Sequence, residues 1–198
     1  MENELFLFNK NALQGAITAP LCAEYKNLWR QCGDNKKKLV DLVLSQQALP
    51  YFLTHCYQGK GLSKEYILDE FKDYINGNYV GLDVDGVEGN YKTELYVAKK
   101  GEISVIDEIL CIMWSNVLLS VPKCRASKIY VGCNSNATIS CDGYNSLTIM
   151  LFDSSKIVLD DIDADTTITI YKYSDKCEVE LGKYCFGKVN EFTKELKL

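Results

Sequence analysis

The chain has 198 residues, of which 47% are apolar and 25% charged, and its formal net charge is -5. This composition is typical of a folded protein that is long enough for one good core or two small ones. The acidic balance argues against a general nucleic-acid binder, and no apolar run is long enough to span a bilayer. We therefore expect neither nucleic acid nor membrane as a partner.

The beginning of the chain and its cysteines indicate the compartment. Residues 1–8 are acidic with only a short apolar run, so we expect no signal peptide. The nine cysteines are odd in number and lack C-x-x-C spacing, and the chain has one histidine. We therefore expect no structural zinc, no other cofactor and free thiols in a reducing cytosol. Cys141 and Cys177 occupy inward phases of a repeat described below.

The first 77 residues have the periodicity of helices. Apolar residues of 21–32 follow one helix face, with Thr18 and Pro20 suited to its start. A second helix is predicted over about 36–48, and Pro50 breaks or restarts it. Ser63 is predicted to cap a third helix that ends at Gly77.

After Gly77 the pattern changes to the alternation of strands. Residues 79–84 read as a strand, and Asp85-Gly86 is a strong turn signal. Residues 109–119 fit either a buried helix or two short strands. We favour strands, because the regular β pattern follows directly after them.

A ten-residue repeat dominates the last third of the chain. Its markers are Ser135, Asn145, Ser155, Asp165 and Asp175, and each is followed by a short alternating apolar run. A fixed period indicates stacked copies of one small unit, none of which can bury its apolar face alone. Such an architecture is more often a scaffold or a binding surface than a catalyst.

Two folds fit a ten-residue unit. In a β-solenoid, two short strands and their corners make one coil of about 20 residues; in a meander, the units form antiparallel hairpins. We favour the solenoid, because only Asp142-Gly143 has the turn sequence that hairpins prefer. The inward phase slips by one residue at Ile168 and Ile170, which predicts a bulge or a longer turn near Asp163.

These observations predict an α+β fold with an unequal division. A helical docking part is expected over residues 1–77. A β-rich part follows over residues 78–198, in which the regular repeat runs from about 128 to 183 as a β-solenoid-like stack. Residues 184–197 are expected to include a last strand that covers the open end of the stack.

Tyrosines within or just beyond the repeat are the candidate binding residues. Tyrosine offers contact area and a polar tip, and Tyr171, Tyr173 and Tyr184 are best placed to form a surface for a glycan or a protein. The alternative is that these rings fill the wide end of the stack. We favour this filling role over a binding role.

Three carboxylates are the candidate metal ligands. Asp161, Asp163 and Asp165 would share one face of an extended corner, where they could hold calcium. The favoured interpretation is a solvated corner that holds no metal. His55 and its neighbour Cys56 point in different directions on a helix and cannot form a dyad with each other. We therefore predict that the protein is not an enzyme.

Several stretches together resemble a family of small proteins encoded by phages and prophages of gut Bacteroidota. In that family a helical N-terminal part leads to a strand-rich tail with serial short repeats and a terminal tyrosine-rich strand. The matching stretches are Ile129-Tyr130-Val131, residues 134–139, residues 151–159, Ile170-Tyr171-Lys172-Tyr173, and residues 21–25 with Trp29.

The resemblance implies a non-enzymatic, virion-associated structural protein. It would be an assembly component or rigid spacer, present in the virion and in the host cytoplasm during assembly. Its partners would be other phage structural proteins and further copies of itself. The alternative function is a glycan- or protein-binding module that uses the solenoid tyrosines and the acidic corners.

Overall fold

The computed structural model describes residues 23–33, 35–45, 48–59, 62–77, 93–105 and 108–195. Within these ranges the helices precede every strand. They are α1 (Ala23–Cys32), α2 (Lys36–Val43), α3 (Leu49–Tyr57) and α4 (Lys64–Glu70), followed by a 3-10 turn at Lys72–Tyr74. None of the helices in this part of the chain has the length and apolar character needed to cross a membrane.

Local side-chain bonds explain where the helices begin. The Asn35 side chain accepts a hydrogen bond from the Lys38 backbone N–H at 3.0 Å and caps α2. Ser63 caps α4 by accepting from Tyr66 N–H at 3.1 Å, as predicted. Pro50 lies in the first turn of α3. A helix does not use the backbone N–H at this position, so proline, which has none, allows a new helix to begin here. The expected extension of α2 to residue 48 is wrong, because α2 ends at Val43.

Eleven strands follow in the described residues. They are β1 (Thr93–Val97), β2 (Lys100–Ser104), β3 (Ile109–Met113), β4 (Asn116–Val121), β5 (Arg125–Gly132), β6 (Asn136–Cys141), β7 (Asn145–Leu151), β8 (Lys156–Ile162), β9 (Thr167–Lys172), β10 (Glu178–Leu181) and β11 (Lys188–Thr193). Residues 109–119 therefore form strands, as favoured from the sequence.

The strands build a β-solenoid of two sheets. Odd-numbered strands form a six-stranded sheet in the order β1-β3-β5-β7-β9-β11, and even-numbered strands form a five-stranded sheet in the order β10-β8-β6-β4-β2. All neighbours pair in parallel, so Asn116 lies beside Asn136, and Asn136 beside Lys156. Parallel pairing at this spacing is that of a coil and excludes the meander. The solenoid begins at β1, well before the predicted start near residue 128.

The interior between the two sheets is apolar. The predicted inward residues are almost fully excluded from solvent: Ala137, Ile139, Leu147, Ile149, Ile157, Leu159, Ile168 and Ile170. Cys141 and Cys177 join the same core, as predicted. Each coil buries its alternating side chains against those of the next, which is why no single unit would be stable alone.

The slip in the repeat has a structural cause. Pairing between β6 and β8 shifts between Ile139 and Cys141, so that Cys141 pairs with Ile162. Asp161, with φ 55°, is the residue in the left-handed region at this point. The bulge thus lies two residues before the predicted position near Asp163, and it restores the inward phase for β9.

A second core lies outside the solenoid. The helices pack on the outer face of the six-stranded sheet, over β1, β3 and β5. Leu53 of α3 rests directly on Gly132, where an added Cβ would come within 3.0 Å of the leucine side chain. The Cys133 thiol lies 3.6 Å from the Leu53 carbonyl. The apolar side of the helical part is therefore buried against its own solenoid.

The two ends of the solenoid differ. At the first end, Asn76 occupies the free edge of β1: its N–H donates to Leu95 O at 2.6 Å, and its side-chain oxygen accepts from Val97 N at 3.1 Å. At the other end, β11 pairs with β9 as the last strand of its sheet. It forms the final coil and, within the described residues, nothing covers it. The predicted helix start at Thr18 and Pro20, the strand over 79–84 and its turn lie outside the described residues.

Candidate functional site

One column of side chains runs along the outer face of the six-stranded sheet. The parallel register aligns Tyr130 with Met150, Met150 with Tyr171, and Tyr171 with Phe192. Tyr130 and Met150 are buried under the helices, whereas Tyr171 is half-buried and Phe192 is 50% exposed. Among the residues that the structure describes, the helices thus bury the first part of this column, and its last members form a partly exposed aromatic surface.

Phe152 and Tyr173 form a second column beside it, and the Tyr130 ring of the first column lies parallel to this stack. The Tyr130 and Phe152 rings are parallel with centroids 6.4 Å apart, and Phe152 stacks on Tyr173 at 4.9 Å. Burial raises the pKa of Tyr130 to about 12 and also raises the pKa of Tyr173. Both phenols are therefore neutral near pH 7, and their hydroxyls can donate as well as accept hydrogen bonds.

The predicted residues Tyr171 and Tyr173 are brought together on this outer face. The Tyr171 ring stacks on Phe192 at 5.6 Å, and the Lys194 ammonium lies 3.8 Å from the Tyr171 ring centroid. At least one face of each tyrosine ring is thus occupied by the protein's own side chains. That arrangement resembles the filling of a stack more than an open platform for a sugar ring.

The third predicted residue, Tyr184, lies elsewhere. It is on the corner between β10 and β11, where its carbonyl accepts from Ile162 N–H at 3.0 Å. Its side chain is half exposed, and the Lys183 ammonium lies 5.3 Å from its ring centroid. The structure therefore does not place Tyr184 on the outer face with the other two tyrosines.

Exposed apolar side chains concentrate at the final coil. Leu181 is 56% exposed and Phe186 67% exposed, and Tyr184 and Phe192 lie in the same coil. Within the described residues, no strand pairs with the free edges of β10 and β11. Sequence reasoning missed Leu181, Phe186 and Phe192. The signal for Phe192 was present, since it continues the column of Tyr171 one coil later.

The acidic corner is tied to its neighbour by hydrogen bonds. Asp163 accepts from Gly143 N–H at 3.1 Å with one carboxylate oxygen and from Asp165 N–H at 3.4 Å with the other. Asp161, Asp163 and Asp165 are all exposed. Among the residues that the structure describes, no group of three acidic, histidine or cysteine side chains is arranged to hold a metal ion. Calcium binding at this corner stays a sequence-based hypothesis.

A buried carboxylate lies under the helical layer. Asp153 has φ 64° and accepts from Cys133 N–H at 2.8 Å. Burial raises its pKa to about 6, and the hydrogen bond from Cys133 only partly opposes this effect. Burial also raises the pKa of the nearby Cys56 and Cys133 thiols far above neutrality. These thiols are therefore protonated and poor nucleophiles.

The single histidine makes a local bond. His55 on α3 has its Nδ1 atom 2.9 Å from the Tyr51 carbonyl oxygen, one helical turn earlier. Its neighbour Cys56 is buried in the helical core, whereas His55 is half-buried. The two side chains thus occupy different environments, as their adjacent positions on a helix require.

Compared with protein-family models, with curated proteins and with solved structures, the chain has no match.

Proposed function

We propose that the protein is a non-enzymatic structural component that works as a rigid spacer or assembly part. The setting implied by the family resemblance is a phage particle, with other phage structural proteins as partners. The observation that best supports this proposal is a group of exposed apolar side chains at one end of the solenoid, namely Leu181, Phe186 and Phe192. Exposed apolar side chains that are grouped at one end of a folded protein are typical of an interaction site.

The solenoid itself suits the role of a spacer. Six parallel strands at a spacing of about 4.8 Å give a stack roughly 24 Å long. Its interior is continuous from Ile103 to Ile170, and its side chains are almost fully buried. A stack that is packed throughout its length resists bending, because each coil is fixed by both neighbours.

The test is incorporation into particles. Particles purified from a producing culture are examined by quantitative mass spectrometry, and the protein is expected at a fixed copy number per particle. The double variant Phe186→Ser/Phe192→Ser should be lost from particles. The matched control Tyr144→Ser removes an exposed ring from a corner in the middle of the stack, so it should be incorporated normally. Absence of the unchanged protein from purified particles would contradict the proposal.

A binding module is the second candidate. It is supported by the half-exposed Tyr171 and the exposed Phe192 beyond the edge of the helical layer. The contacts of Tyr171 with Lys194 and of Tyr173 with Phe152 weigh against stacking of a sugar ring there. Titration with neutral and acidic oligosaccharides, followed by tyrosine fluorescence, should give no saturable change; a saturable change that Tyr171→Ala removes would favour the binding module.

A further inference from the structure

The free edges of the last coil are two strands of different charge. On β10, Glu178 and Glu180 point outward and are exposed, and both pair with Lys156 of β8, at 3.7 and 3.0 Å. On β11, the outward positions are Lys188, Asn190 and Phe192, in register with the outward positions of β9. The β10 edge therefore carries an excess of acid, two glutamates to one lysine. The β11 edge has Lys188 at an outward position, and its acid, Glu191, is at an inward position and pairs with Lys172 at 3.2 Å.

Both edges also offer unused backbone groups. The N–H groups of Lys188 and Lys194 donate to Thr166 O and Lys172 O of the preceding coil, at 2.9 and 2.8 Å. Peptide groups along a strand point to its two sides in turn. Between Lys188 and Lys194, every second residue therefore points its N–H and C=O groups toward the open edge. Within the described residues nothing pairs with that edge. Unpaired strand edges are templates for a further strand.

We propose that this C-terminal end is a two-fold interface with a second copy of the chain, in which β10 of each copy lies antiparallel to β11 of the other. The proposal rests on the proposed assembly role and deepens it by naming the partner. The pairing places Glu178 and Glu180 of one copy beside Lys188 of the other, twice in each dimer. It also covers Leu181 and the half-buried Val189, which are core positions that lack a following coil.

The opposite end explains why the contact is two-fold. Asn76 already uses the N–H of Val97 and the carbonyl of Leu95 at the free edge of β1. The six-stranded sheet of one copy therefore cannot continue into the first strand of the next, and head-to-tail stacking is blocked. An interface that uses the same surface on both copies closes after two chains.

Charge also selects between the two possible two-fold arrangements. In one, β10 pairs with β10 of the second copy, which brings four glutamates together at Glu178 and Glu180 with only the two Lys156 side chains to balance them. Like charges on facing strands are destabilising. In the other, β10 pairs with β11, and Lys188 faces the glutamates. The second arrangement is the one proposed.

The test is the solution mass of the full chain, measured by sedimentation equilibrium from roughly 1 to 500 µM. An end-on contact is smaller than a standard interface, so we expect a dissociation constant in roughly the micromolar range. The mass should rise from 22.4 kDa to twice that value with concentration. A monomer over the whole range overturns the two-fold interface, and so do species larger than a dimer.

Charge reversal locates the contact. Lys188→Glu should weaken the dimer at least ~10-fold, because it places like charges together across the contact. Glu178→Lys/Glu180→Lys should do the same, and because it also removes the ion pairs with Lys156 of the same chain, its affinity is compared with its own urea midpoint. Combining all three changes should restore the affinity to within a few-fold of the unchanged chain. If Lys188→Glu has no effect, or if the combined variant stays monomeric, the pairing of β10 with β11 is wrong.

A matched control lies at the other end of the solenoid. Lys100 on β2 is exposed and occupies the same register column as Lys156 and Glu178. Lys100→Glu should leave the dimer unchanged, whereas it would weaken a head-to-tail stack and so overturn the two-fold arrangement. Far-UV circular dichroism and urea midpoints verify that each variant is folded. A monomeric chain that still enters particles would refute this interface while the proposed assembly role stands.

Discussion

The two ends of this solenoid are built from the same kind of coil, but different residues lie on them. At the first end, helices bury the outer columns of the six-stranded sheet, and Asn76 occupies the β1 edge. At the last end, the same columns continue as Tyr171 and Phe192, and Phe192 is half exposed in the part of the chain that the structure describes. Tyr130 is 3% exposed and Tyr171 is half-buried, although they stand in one column. Exposure is thus decided by what packs on the sheet and not by residue type.

The largest expected effect compares the two ends directly. Leu53→Ala removes a fully buried side chain between α3 and Gly132, and should lower the free energy of unfolding by about 3 kcal/mol. Phe192→Ala at the open end should cost about 1 kcal/mol or less, because half of the ring is already exposed. Urea unfolding followed by circular dichroism measures both. Equal losses would show that the open end is as well packed as the covered one.

The second prediction concerns the charge buried under the helices. Because burial raises the pKa of Asp153 to about 6, the folded state holds its proton more tightly than the unfolded state does. The stability from this group is complete below about pH 4 and is lost as the pH rises through 6. Asp153→Asn keeps an acceptor for Cys133 N–H and tolerates the left-handed backbone.

The expected result is a pH-dependent gain. Asp153→Asn should be more stable than the unchanged chain by about 2 kcal/mol at pH 7.5, and the difference should vanish near pH 4. Thermal or urea unfolding at several pH values gives the profile. Asp163→Asn, on an exposed corner, is the control variant and is measured over the same pH range. A flat difference for Asp153→Asn would mean that this carboxylate is solvated.

The third prediction uses a ladder of buried serines along one corner. Ser135 accepts from Ser115 N–H at 3.1 Å and donates to Gly132 O at 2.6 Å. One coil nearer the open end, Ser155 is equally buried, but its hydroxyl has no partner in the described residues. Ser135→Ala should cost about 1–2 kcal/mol, and Ser155→Ala should be neutral or stabilising. Equal costs in urea unfolding would imply that Ser155 has a bound water as partner.

The smallest effect is expected at the exposed aromatic surface. Lys194→Gln removes the ammonium group that lies over the Tyr171 ring and should lower the unfolding free energy by about 0.5 kcal/mol. Lys176→Gln, on an exposed corner, is the control and should have no measurable effect. A loss above about 1 kcal/mol for Lys194→Gln would show that the open end depends on this contact.

Much of the solenoid could be predicted because its signals are local. Alternation and a ten-residue spacing indicated the inward residues, such as Ile149 and Leu159, and the slip before Ile168. The sequence did not reveal the first coils as part of the repeat. Thr93 pairs with Ile109, and Lys100 with Asn116, at a shorter sequence separation than the 20 residues between Asn116 and Asn136. A repeat of changing length leaves no constant period to detect.

The candidate site was only partly accessible to sequence reasoning. Tyr171 lies in β9 and Tyr173 directly after it, whereas the separation of Tyr184 from them depends on which corner carries it. The exposure of Phe186 and Phe192 depends on where the stack of coils ends, which no local pattern encodes.

The sequence by itself determined that this chain coils, and which side chains face its interior, because strand alternation is a property of neighbouring residues. Only the tertiary structure decided which outer side chains are covered. The helices contact β5 through Leu53 on Gly132, and Tyr57 of α3 lies 3.4 Å from the Ser154 hydroxyl at the corner after β7. It also decided that Asp153 is buried, since that burial comes from elements far away in the chain. Packing between residues that are far apart in the chain determines both the covered outer side chains and the burial of Asp153. A local sequence pattern does not indicate such packing.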